Sequence, residues 1–301
     1  MPKLADIQIR DPFVLPDAAT KRYHLFGSTD ENIWSGDATG FDAYWSDDLV
    51  TWHGPSPAFR PSADFWSRTE YWAPEVHAYG GAFYLFATFT APGHRRGTQA
   101  LRAETPEGPF EPWSDGPLTP RDWECLDGTL HVEDGQPWLV FCHEWKDTID
   151  GEVRAVRLSA DLRDTVGEPE LLFTASEAPW ARSFEHRSVP PGRHPFVTDG
   201  PFLHRASDGR LLMLWSSFGD SGYALGVATS ESGGVTGPWR HDAEPLFPRD
   251  GGHGMLFRAF DGTLYLTLHQ PNDTPNERAR LIPVVETPDG LALAPLAAPV
   301  P

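Results

Sequence analysis

Residues 198–219 read TDGPFLHRASDGRLLMLWSSFG and contain the pattern that decides the fold. Two apolar runs flank a Ser-Asp-Gly turn at 207–209, which is the signal of a β-hairpin. An acidic residue, Asp199, stands at the start of the first run, directly before a Gly-Pro pair. Taken alone, an aspartate in this setting is ordinary turn chemistry. The rest of the chain changes that interpretation, because the same arrangement returns elsewhere.

The order of features in this stretch occurs five times along the chain. Each copy has an ionisable residue near its start, a short apolar strand, a turn rich in Gly or Asp, and a second apolar strand. The other copies are RDPFVLPDAATKRYHLFGSTD (10–30), APEVHAYGGAFYLFATFT (73–90), LDGTLHVEDGQPWLVFCHEW (126–145) and GHGMLFRAFDGTLYLTLHQPN (252–272). The leading ionisable residues are Asp11, Glu75, Asp127, Asp199 and His253. Each hairpin is followed by further strand-like segments, and no long helical period occurs.

Five units of about four strands each predict an all-β, five-bladed β-propeller with four antiparallel strands per blade. We expect one domain over residues 1–301, with an irregular loop at about 174–196 between the third and fourth units. The innermost strand leads each blade of a propeller, so the five leading residues are expected to meet at one end of the central channel. A different all-β fold, such as two β-sandwiches, is the alternative. It does not explain why every repeat has the same order of ionisable residue, strand, turn and strand.

The composition limits the kind of partner. Acidic residues number 43 and basic residues 24, for a net charge of −19, and no Lys/Arg cluster occurs. This excludes a nucleic-acid groove and disfavours a membrane surface, whereas a neutral sugar is compatible. Cys125 and Cys142 are expected to be reduced core thiols, since two cysteines do not make a disulfide framework. The N-terminus lacks the apolar core of a signal peptide, so we expect a cytoplasmic protein, or a secreted one if a signal has been removed.

Several carboxyl groups facing one cavity cannot all be ionised cheaply, so their pKa values should split. Cleavage of a glycosidic bond needs such a split pair, with one carboxylic acid to protonate the leaving oxygen and one carboxylate to activate water. Opposite blades hold side chains far apart, which fits the inverting separation of about 6.5–9.5 Å better than the retaining one of about 5–5.5 Å. A hydrolytic metal centre is the competing interpretation, but the chain has no His-x-x-x-His or Cys-x-x-Cys spacing.

Aromatic side chains near the inner strands suit sugar rings, which stack on such faces through their C–H groups. Six tryptophans lie there: Trp34, Trp45, Trp72, Trp145, Trp180 and Trp215. Core packing between blades explains most of them. We place Trp72 in the pocket, because it stands directly before the Ala-Pro-Glu of the second unit, and we expect Trp215 to contact substrate as well.

The motifs RDPFVL, YWAPEVH, CLDGTLHVEDG, TDGPFLHRASDG and GHGMLFRAFDGTLYL, in this order, resemble glycoside hydrolase family 43 over nearly the whole chain. These enzymes are five-bladed propellers that act on arabinose- and xylose-containing glycans. The resemblance implies that Asp11 is the general base and that Asp127 orients the acid and adjusts its pKa. It places Asp199 where the family has its general acid, in a Glu-Gly-Pro motif.

The same resemblance implies further contacts. Trp72 and Glu75 match the Trp-Ala-Pro motif that lines the sugar site. Arg278 resembles an arginine after the fifth hairpin that contacts the terminal sugar. His253, in Gly-His-Gly, resembles the histidine near a channel ion, commonly calcium, and no organic cofactor is implied.

Asp199 departs from the family pattern. It is one methylene shorter than glutamate, so its carboxyl would sit about 1.5 Å further back on an unchanged backbone. Proton transfer needs hydrogen-bond reach of about 2.6–3.2 Å, so another acid is an open alternative. Glu144, in the third hairpin, is the reserve candidate, whereas we interpret Glu124 as unrelated to catalysis.

The leading hypothesis is therefore an inverting glycoside hydrolase that removes terminal pentosides from an oligosaccharide or polysaccharide end, as an α-L-arabinofuranosidase or β-xylosidase. An endo-arabinanase is the alternative within the same family. A second hypothesis is a non-catalytic, glycan-binding propeller with a failed acid. A third is a protein-interaction propeller, which predicts exposed binding surfaces and not five ionisable groups at one channel mouth.

Overall fold

The computed structural model describes residues 1–31 and 33–294, and it contains twenty strands in five four-stranded antiparallel sheets. Blade 1 contains β1 (Arg10–Asp17), β2 (Arg22–Ser28), β3 (Phe41–Ser46) and β4 (His53–Phe59). Blade 2 contains β5 (Thr69–Tyr79), β6 (Ala82–Thr90), β7 (Gly97–Ala103) and β8 (Glu111–Pro112). Blade 3 contains β9 (Cys125–Glu133), β10 (Gln136–His143), β11 (Glu152–Leu158) and β12 (Thr165–Thr174).

Blade 4 contains β13 (Asp199–Arg205), β14 (Leu211–Gly219), β15 (Gly222–Ser230) and β16 (Trp239–His241). Blade 5 contains β17 (Gly252–Arg258), β18 (Leu264–Gln270), β19 (Arg278–Thr287) and β20 (Gly290–Leu293). A one-turn helix, α1 (Trp145–Thr148), and two 3-10 turns, Leu4–Asp6 and Ala175–Glu177, complete the elements. Within each sheet the strands follow chain order, which confirms the predicted five-bladed propeller.

The second strand of each blade lies in the core. Most residues of β10 and β14 are buried, because neighbouring blades cover both faces of their sheet. Strands covered on both faces are continuous apolar runs and not alternating ones. The outermost strand behaves differently: β12 is largely exposed. Burial is therefore greatest in the second strand and lower in both the innermost and the outermost strand, and the start of each inner strand lies beside the channel.

The ring closes by packing between blades 1 and 5, since no strand is exchanged between their sheets. The N–H of Ile9 donates to the carbonyl of Glu277 at 3.2 Å, and Gln8 pairs with Arg278 in an isolated bridge. The Arg10 guanidinium lies 2.6 Å from an oxygen of the Glu277 carboxylate, and the Glu277 side chain is 0% exposed. The chain start is thus tied to the last blade next to the channel.

The irregular loop between the third and fourth units is present, running from the 3-10 turn Ala175–Glu177 to β13. Cys125 and Cys142 lie on neighbouring strands as buried free thiols, as predicted. Within residues 1–31 and 33–294, no helix is long and apolar enough to cross a membrane.

Candidate active site

A cavity of about 750 Å³ opens at the end of the channel where the inner strands begin. Its lining includes Asp11, Asp127, Asp199 and His253, so the structure brings four of the five predicted leading residues into one pocket. A volume of this size lies within the usual range of about 300–1,000 Å³ for ligand pockets.

One residue near the start of every inner strand adopts the left-handed backbone conformation. The values of φ are 51°, 47°, 57°, 51° and 48° at Asp11, Ala73, Asp127, Gly200 and His253. At each position the strand register shifts, which marks a β-bulge. Non-glycine residues rarely occupy this region, and such strain is concentrated at functional sites. The bulges direct the side chains of Asp11, Asp127 and His253 into the pocket at the end of the channel.

The positions of the bulges show which residues of the five repeats are equivalent, and this alignment differs from the one that the sequence suggests. Asp199 precedes the bulge residue Gly200, so its equivalents in the first two blades are Arg10 and Trp72. Glu75 lies two residues after the bulge residue Ala73. Arg10, Trp72 and Asp199 all line the pocket, whereas Glu75 does not. Asp199 thus enters the pocket from a different strand position than Asp11 and Asp127.

Hydrogen bonds between blades hold these bulges in a ring. The N–H of each bulge residue donates to a side chain of the preceding blade. The pairs are Asp11 to His269 Nδ1 (3.2 Å), Ala73 to Ser28 Oγ (2.8 Å), Asp127 to Thr88 Oγ1 (2.9 Å), Gly200 to Asp127 Oδ2 (3.0 Å) and His253 to Ser216 Oγ (2.8 Å). Four acceptors lie on second strands. In blade 3 the matching second-strand residue is Cys142, and the carboxylate of Asp127 takes its place.

Asp11 lies in an environment that favours the carboxylate. Its Oδ2 accepts a 2.8 Å hydrogen bond from Ser28, and its Oδ1 lies 3.2 Å from His253 Nδ1. Burial opposes its ionisation, yet His253, Arg10, His269 and the Ser28 hydroxyl together lower the pKa of Asp11 below its ordinary value. Asp11 is therefore ionised at neutral pH and can accept a proton.

Asp199 lies in the opposite environment. Burial and the nearby charge of Asp127 raise its pKa to about 7, although His253 and a 2.9 Å hydrogen bond from Tyr223 act against that rise. Burial and the charge of Asp11 likewise raise the pKa of Asp127 well above its usual value, against the hydrogen bond from Gly200. Of the three aspartates in the pocket, Asp11 thus favours the carboxylate form, whereas the pKa values of Asp127 and Asp199 are both raised, and Asp199 keeps its proton close to neutral pH.

Trp72 lies in the pocket, as the sequence predicts. Its Nε1 donates to the carbonyl of Ile33 at 2.6 Å, and its ring meets Trp34 edge-on at 5.4 Å. The Arg96 guanidinium covers the ring at 4.3 Å. Glu144 also lines the pocket, where Arg96 holds its Oε2 at 2.5 Å. Burial raises the pKa of Glu144 despite Arg96 and Lys146, but this ion pair makes it a poorer proton donor than Asp199.

Three predicted substrate contacts lie elsewhere. Trp215 is 0% exposed and packs against Phe173 and Trp180, because a second-strand residue is covered by both neighbouring blades. Glu75 is buried beside His77, with 2.9 Å between Oε2 and Nε2. Arg278 donates from Nε to the carbonyl of Ala5 at 3.0 Å and closes the ring. The structure corrects these predictions, since none of the three lines the pocket.

The pocket contains residues that the sequence did not place there, although it named Trp145 among the tryptophans near the inner strands. An aromatic wall beside Asp199 consists of Trp145, Phe184, His186, Phe218 and Tyr223. Phe184 is 5.1 Å from Trp145 and 5.4 Å from Phe218. Phe184 and His186 come from the loop between blades 3 and 4, where no strand pattern could indicate their direction. The sequence does contain a feature that could have found Arg10. When the repeats are aligned on Pro12, Pro74 and Pro201, Arg10 is equivalent to Trp72 and Asp199.

The residues near His253 do not fit a calcium site centred on this side chain. Calcium binds about six to eight oxygen ligands. His253 offers a nitrogen and directs it at Asp11, and it lies 3.6 Å from Asp127. Throughout the described chain, no group of three or more His, Cys, Asp or Glu side chains is arranged to hold a metal ion. Calcium at this position stays a prediction that the donor set does not support.

Several known proteins resemble this chain in sequence and in fold. A model of "Glycosyl hydrolases family 43" matches residues 5–292. A crystal structure of an endo-arabinase from Bacteroides thetaiotaomicron VPI-5482 is similar at 43% sequence identity, with a TM-score of 0.87 over 96% of this chain and 98% of that one. A thermostable family-43 glycoside hydrolase gives a TM-score of 0.80 at 22% identity, over 98% of this chain and 95% of that one, which supports the fold alone.

A curated protein of Cellvibrio japonicus (strain Ueda107), described as an extracellular exo-α-(1→5)-L-arabinofuranosidase ArbA, is 24% identical over 297 residues, covering 87% of this chain and 79% of that protein. Because that relative is described as extracellular, it gives no support to the expected cytoplasmic location, which stays a prediction.

Proposed function

The chain belongs to glycosyl hydrolase family 43, and from this membership we propose that it hydrolyses α-L-arabinofuranosides with inversion at the anomeric carbon. It is a glycoside hydrolase by family. Arabinose is favoured over xylose because the 43% identical protein is an endo-arabinase and the curated relative is an arabinofuranosidase. A β-xyloside is the second substrate to test.

The proposed reaction is a single displacement. Asp11 takes a proton from a water molecule, whose oxygen forms a bond to the anomeric carbon. The bond from that carbon to the leaving oxygen breaks, its electron pair stays on the oxygen, and the proton of Asp199 neutralises it. Asp127 accepts the N–H of Gly200 at 3.0 Å, which positions the residue next to Asp199, and the closeness of this second carboxyl group raises the pKa of Asp199. The two acids end with their protonation states exchanged, and solvent restores them.

The observation that carries this proposal is that Asp11 and Asp199, in one pocket, have pKa values shifted in opposite directions, whereas Asp127, whose pKa is also raised, accepts the N–H of Gly200. The pKa of Asp11 is lowered by its neighbours, with His253 first among them, whereas burial and Asp127 raise that of Asp199 to about 7. Titratable groups with opposite shifts are the mark of an acid and base pair. A binding protein that only holds sugar would gain nothing from keeping a buried carboxyl protonated.

Product stereochemistry tests the proposal. Proton NMR spectra recorded during hydrolysis of 4-nitrophenyl α-L-arabinofuranoside should show β-arabinofuranose as the first product, before mutarotation. Asp11→Asn should lower kcat on this substrate by at least about 100-fold, and Asp199→Asn should do so on an arabino-oligosaccharide, whose leaving oxygen needs a proton. Asp261→Asn, at an exposed turn of blade 5, is the matched control and should stay near the parent rate. First appearance of the α-anomer would contradict inversion, and sugar binding without turnover would favour the binding protein.

Endo action is the second candidate, and the shape of the pocket supports it. Aromatic side chains line the pocket in two groups: Trp34 and Trp72, whose rings meet at 5.4 Å, and Phe184 and Phe218, whose rings are also 5.4 Å apart. Trp34 is 52% exposed at the rim, as a ring that stacks on a neighbouring sugar unit would be. Digestion of linear α-1,5-arabinan distinguishes the two modes, since exo action releases arabinose from the start and endo action releases a range of oligosaccharides first.

A further inference from the structure

The two oxygens of the Asp199 carboxyl have different surroundings. Oδ2 accepts a 2.9 Å hydrogen bond from the hydroxyl of Tyr223. Oδ1 has no hydrogen-bond partner within residues 1–31 and 33–294, and the side chain lines the pocket. In the protonated acid, the oxygen that accepts from Tyr223 is the carbonyl oxygen. The proton is therefore placed on Oδ1, the oxygen that is free to meet a ligand.

Tyr223 can keep this role because its ring is fixed. The side chain is 3% exposed, and its ring stacks on His269 with centroids 5.7 Å apart and planes 16° apart. Gly252 provides the room, since a Cβ there would lie 2.6 Å from Cε1 of the Tyr223 ring. Burial and the nearby carboxylates raise the pKa of Tyr223 well above its ordinary value, so its hydroxyl remains a donor.

The stack also reaches the proposed base. His269 Nδ1 accepts the N–H of Asp11 at 3.2 Å, and its Nε2 lies 3.3 Å from Asn272 Oδ1. Burial lowers the pKa of His269 to about 4, so the ring is neutral, with its proton on Nε2. The stacked rings of Tyr223 and His269 therefore connect Asp199, which accepts from the Tyr223 hydroxyl, to Asp11, whose N–H donates to His269.

We propose that Tyr223 is a positioning residue for Asp199, which directs the transferable proton to Oδ1 and orients that oxygen toward the leaving group. The inference rests on the proposed function, because it assigns Tyr223 a part in the acid step of that reaction. An aspartate has a short side chain and few ways to reach a substrate, so a fixed orientation matters more for it than for a longer acid.

Several groups set the charge of Asp199, and Tyr223 is one of them. Asp127 and Glu144 raise its pKa, whereas His253 and the Tyr223 hydrogen bond lower it. The buried thiol of Cys142 also lies close enough to interact with Asp199. Removing the Tyr223 hydroxyl should therefore move the pKa of Asp199 further upward, which a loss of general stability would not do.

Tyr223→Phe tests the proposal, because it removes the hydroxyl and keeps the stacked ring. With a poor leaving group, such as an arabinobiose, kcat should fall by about 10-fold or more, whereas with a 2,4-dinitrophenyl leaving group it should change less than about 3-fold. The alkaline limb of kcat/KM should move to higher pH. Tyr23→Phe is the matched control: Tyr23 is also buried, and its hydroxyl accepts the N–H of Phe260 at 2.9 Å away from the pocket.

A second measurement does not depend on turnover. Carbon-13 NMR of labelled aspartate carboxyls follows the titration of Asp199 in the parent, in Tyr223→Phe and in Tyr23→Phe, with Asp199→Asn to assign the signal. The titration midpoint should rise in Tyr223→Phe alone. An unmoved midpoint would overturn the inference, as would equal losses with both leaving groups. A raised midpoint in a protein that cleaves no pentoside would retain the role of Tyr223 in holding Asp199 and refute the proposed function instead.

Discussion

The carboxyl of Asp199 lies among acidic neighbours, whereas that of Asp11 lies beside Arg10 and His253. Both are aspartates near the start of an inner strand, and both are largely removed from water. Burial alone would raise both pKa values. The difference between them comes from the charges and hydrogen-bond donors that each meets, which depend on the blade that carries it.

This contrast predicts the pH dependence of the reaction. Below the lowered pKa of Asp11 the base gains a proton and activity falls, so the acid limb should lie below about pH 4. Above a pKa of about 7 the acid Asp199 loses its proton, so activity falls again on the alkaline side. A plot of kcat/KM against pH should therefore be bell-shaped, with its plateau between these limits. Far-ultraviolet circular dichroism across the same range checks that the protein stays folded, and an alkaline limb at pH 9 or above would contradict the role of Asp199.

Each inner strand begins with a bulge. The N–H of the bulge residue donates to a side chain of the preceding blade, and this hydrogen bond positions the carboxyl groups. Thr88 shows how the ring works: its Oγ1 accepts the N–H of Asp127 at 2.9 Å, and the side chain is 0% exposed. A buried N–H without a partner costs about 1–3 kcal/mol. The hydroxyl therefore contributes both to stability and to the position of Asp127.

Thr88→Val should lower the free energy of unfolding by about 1–3 kcal/mol, because it leaves the Asp127 N–H unpaired, and it should lower kcat as well. Thr267→Val is the matched control, since Thr267 is also 0% exposed but its hydroxyl has no hydrogen-bond partner in the described part of the chain. That variant should be neutral or stabilising. Urea unfolding and turnover measurements compare the two. Equal losses in both variants would show that the ring bond does not have this role.

The repeat of strands and turns was readable from the sequence, but the residue at each bulge was not. Apolar runs and Gly or Asp turns are set by burial and backbone geometry, so they predict five hairpins. The bulge position holds Asp, Ala, Gly or His, so an ionisable side chain does not mark it in every blade. Glu75 in blade 2 lies two residues after the bulge, and Asp199 in blade 4 lies one residue before it. The partner of Asp199 was also beyond prediction, because Tyr223 lies on the third strand of the blade, which does not pair with the strand that carries Asp199.

The whole molecule depends on how its two ends meet. Blades 1 and 5 share no sheet, and the pair formed by Arg10 and Glu277, 2.6 Å apart, lies at their junction beside the pocket. The resemblance of Arg278 to a sugar-binding arginine was misleading for a related reason. Its position after the fifth hairpin is where the ring closes, and its guanidinium is occupied by the N-terminal segment.

Glu277→Gln should destabilise the closed propeller by up to about 3 kcal/mol, because it removes the charged hydrogen-bond partner of the buried Arg10 guanidinium and leaves Asp11 as its acidic neighbour. Glu104→Gln is the control: Glu104 pairs with Arg102 at 2.7 Å, but its side chain is 74% exposed. An exposed pair contributes at most about 1 kcal/mol. Thermal and urea unfolding give the comparison. A loss in Glu277→Gln no larger than in the control would mean that this pair does not stabilise the junction.

The central claim is that Asp199 donates the proton and Asp11 activates the water. Its most direct test is the turnover of Asp199→Asn and Asp11→Asn on two α-L-arabinofuranosides, one with a 2,4-dinitrophenyl leaving group and one with a sugar leaving group. We predict that Asp199→Asn nearly abolishes cleavage of the sugar but retains much of the activity on the dinitrophenyl substrate, which needs no proton. Asp11→Asn should lose both. Equal loss of the two activities in Asp199→Asn, or retained activity in Asp11→Asn, would contradict the assignment.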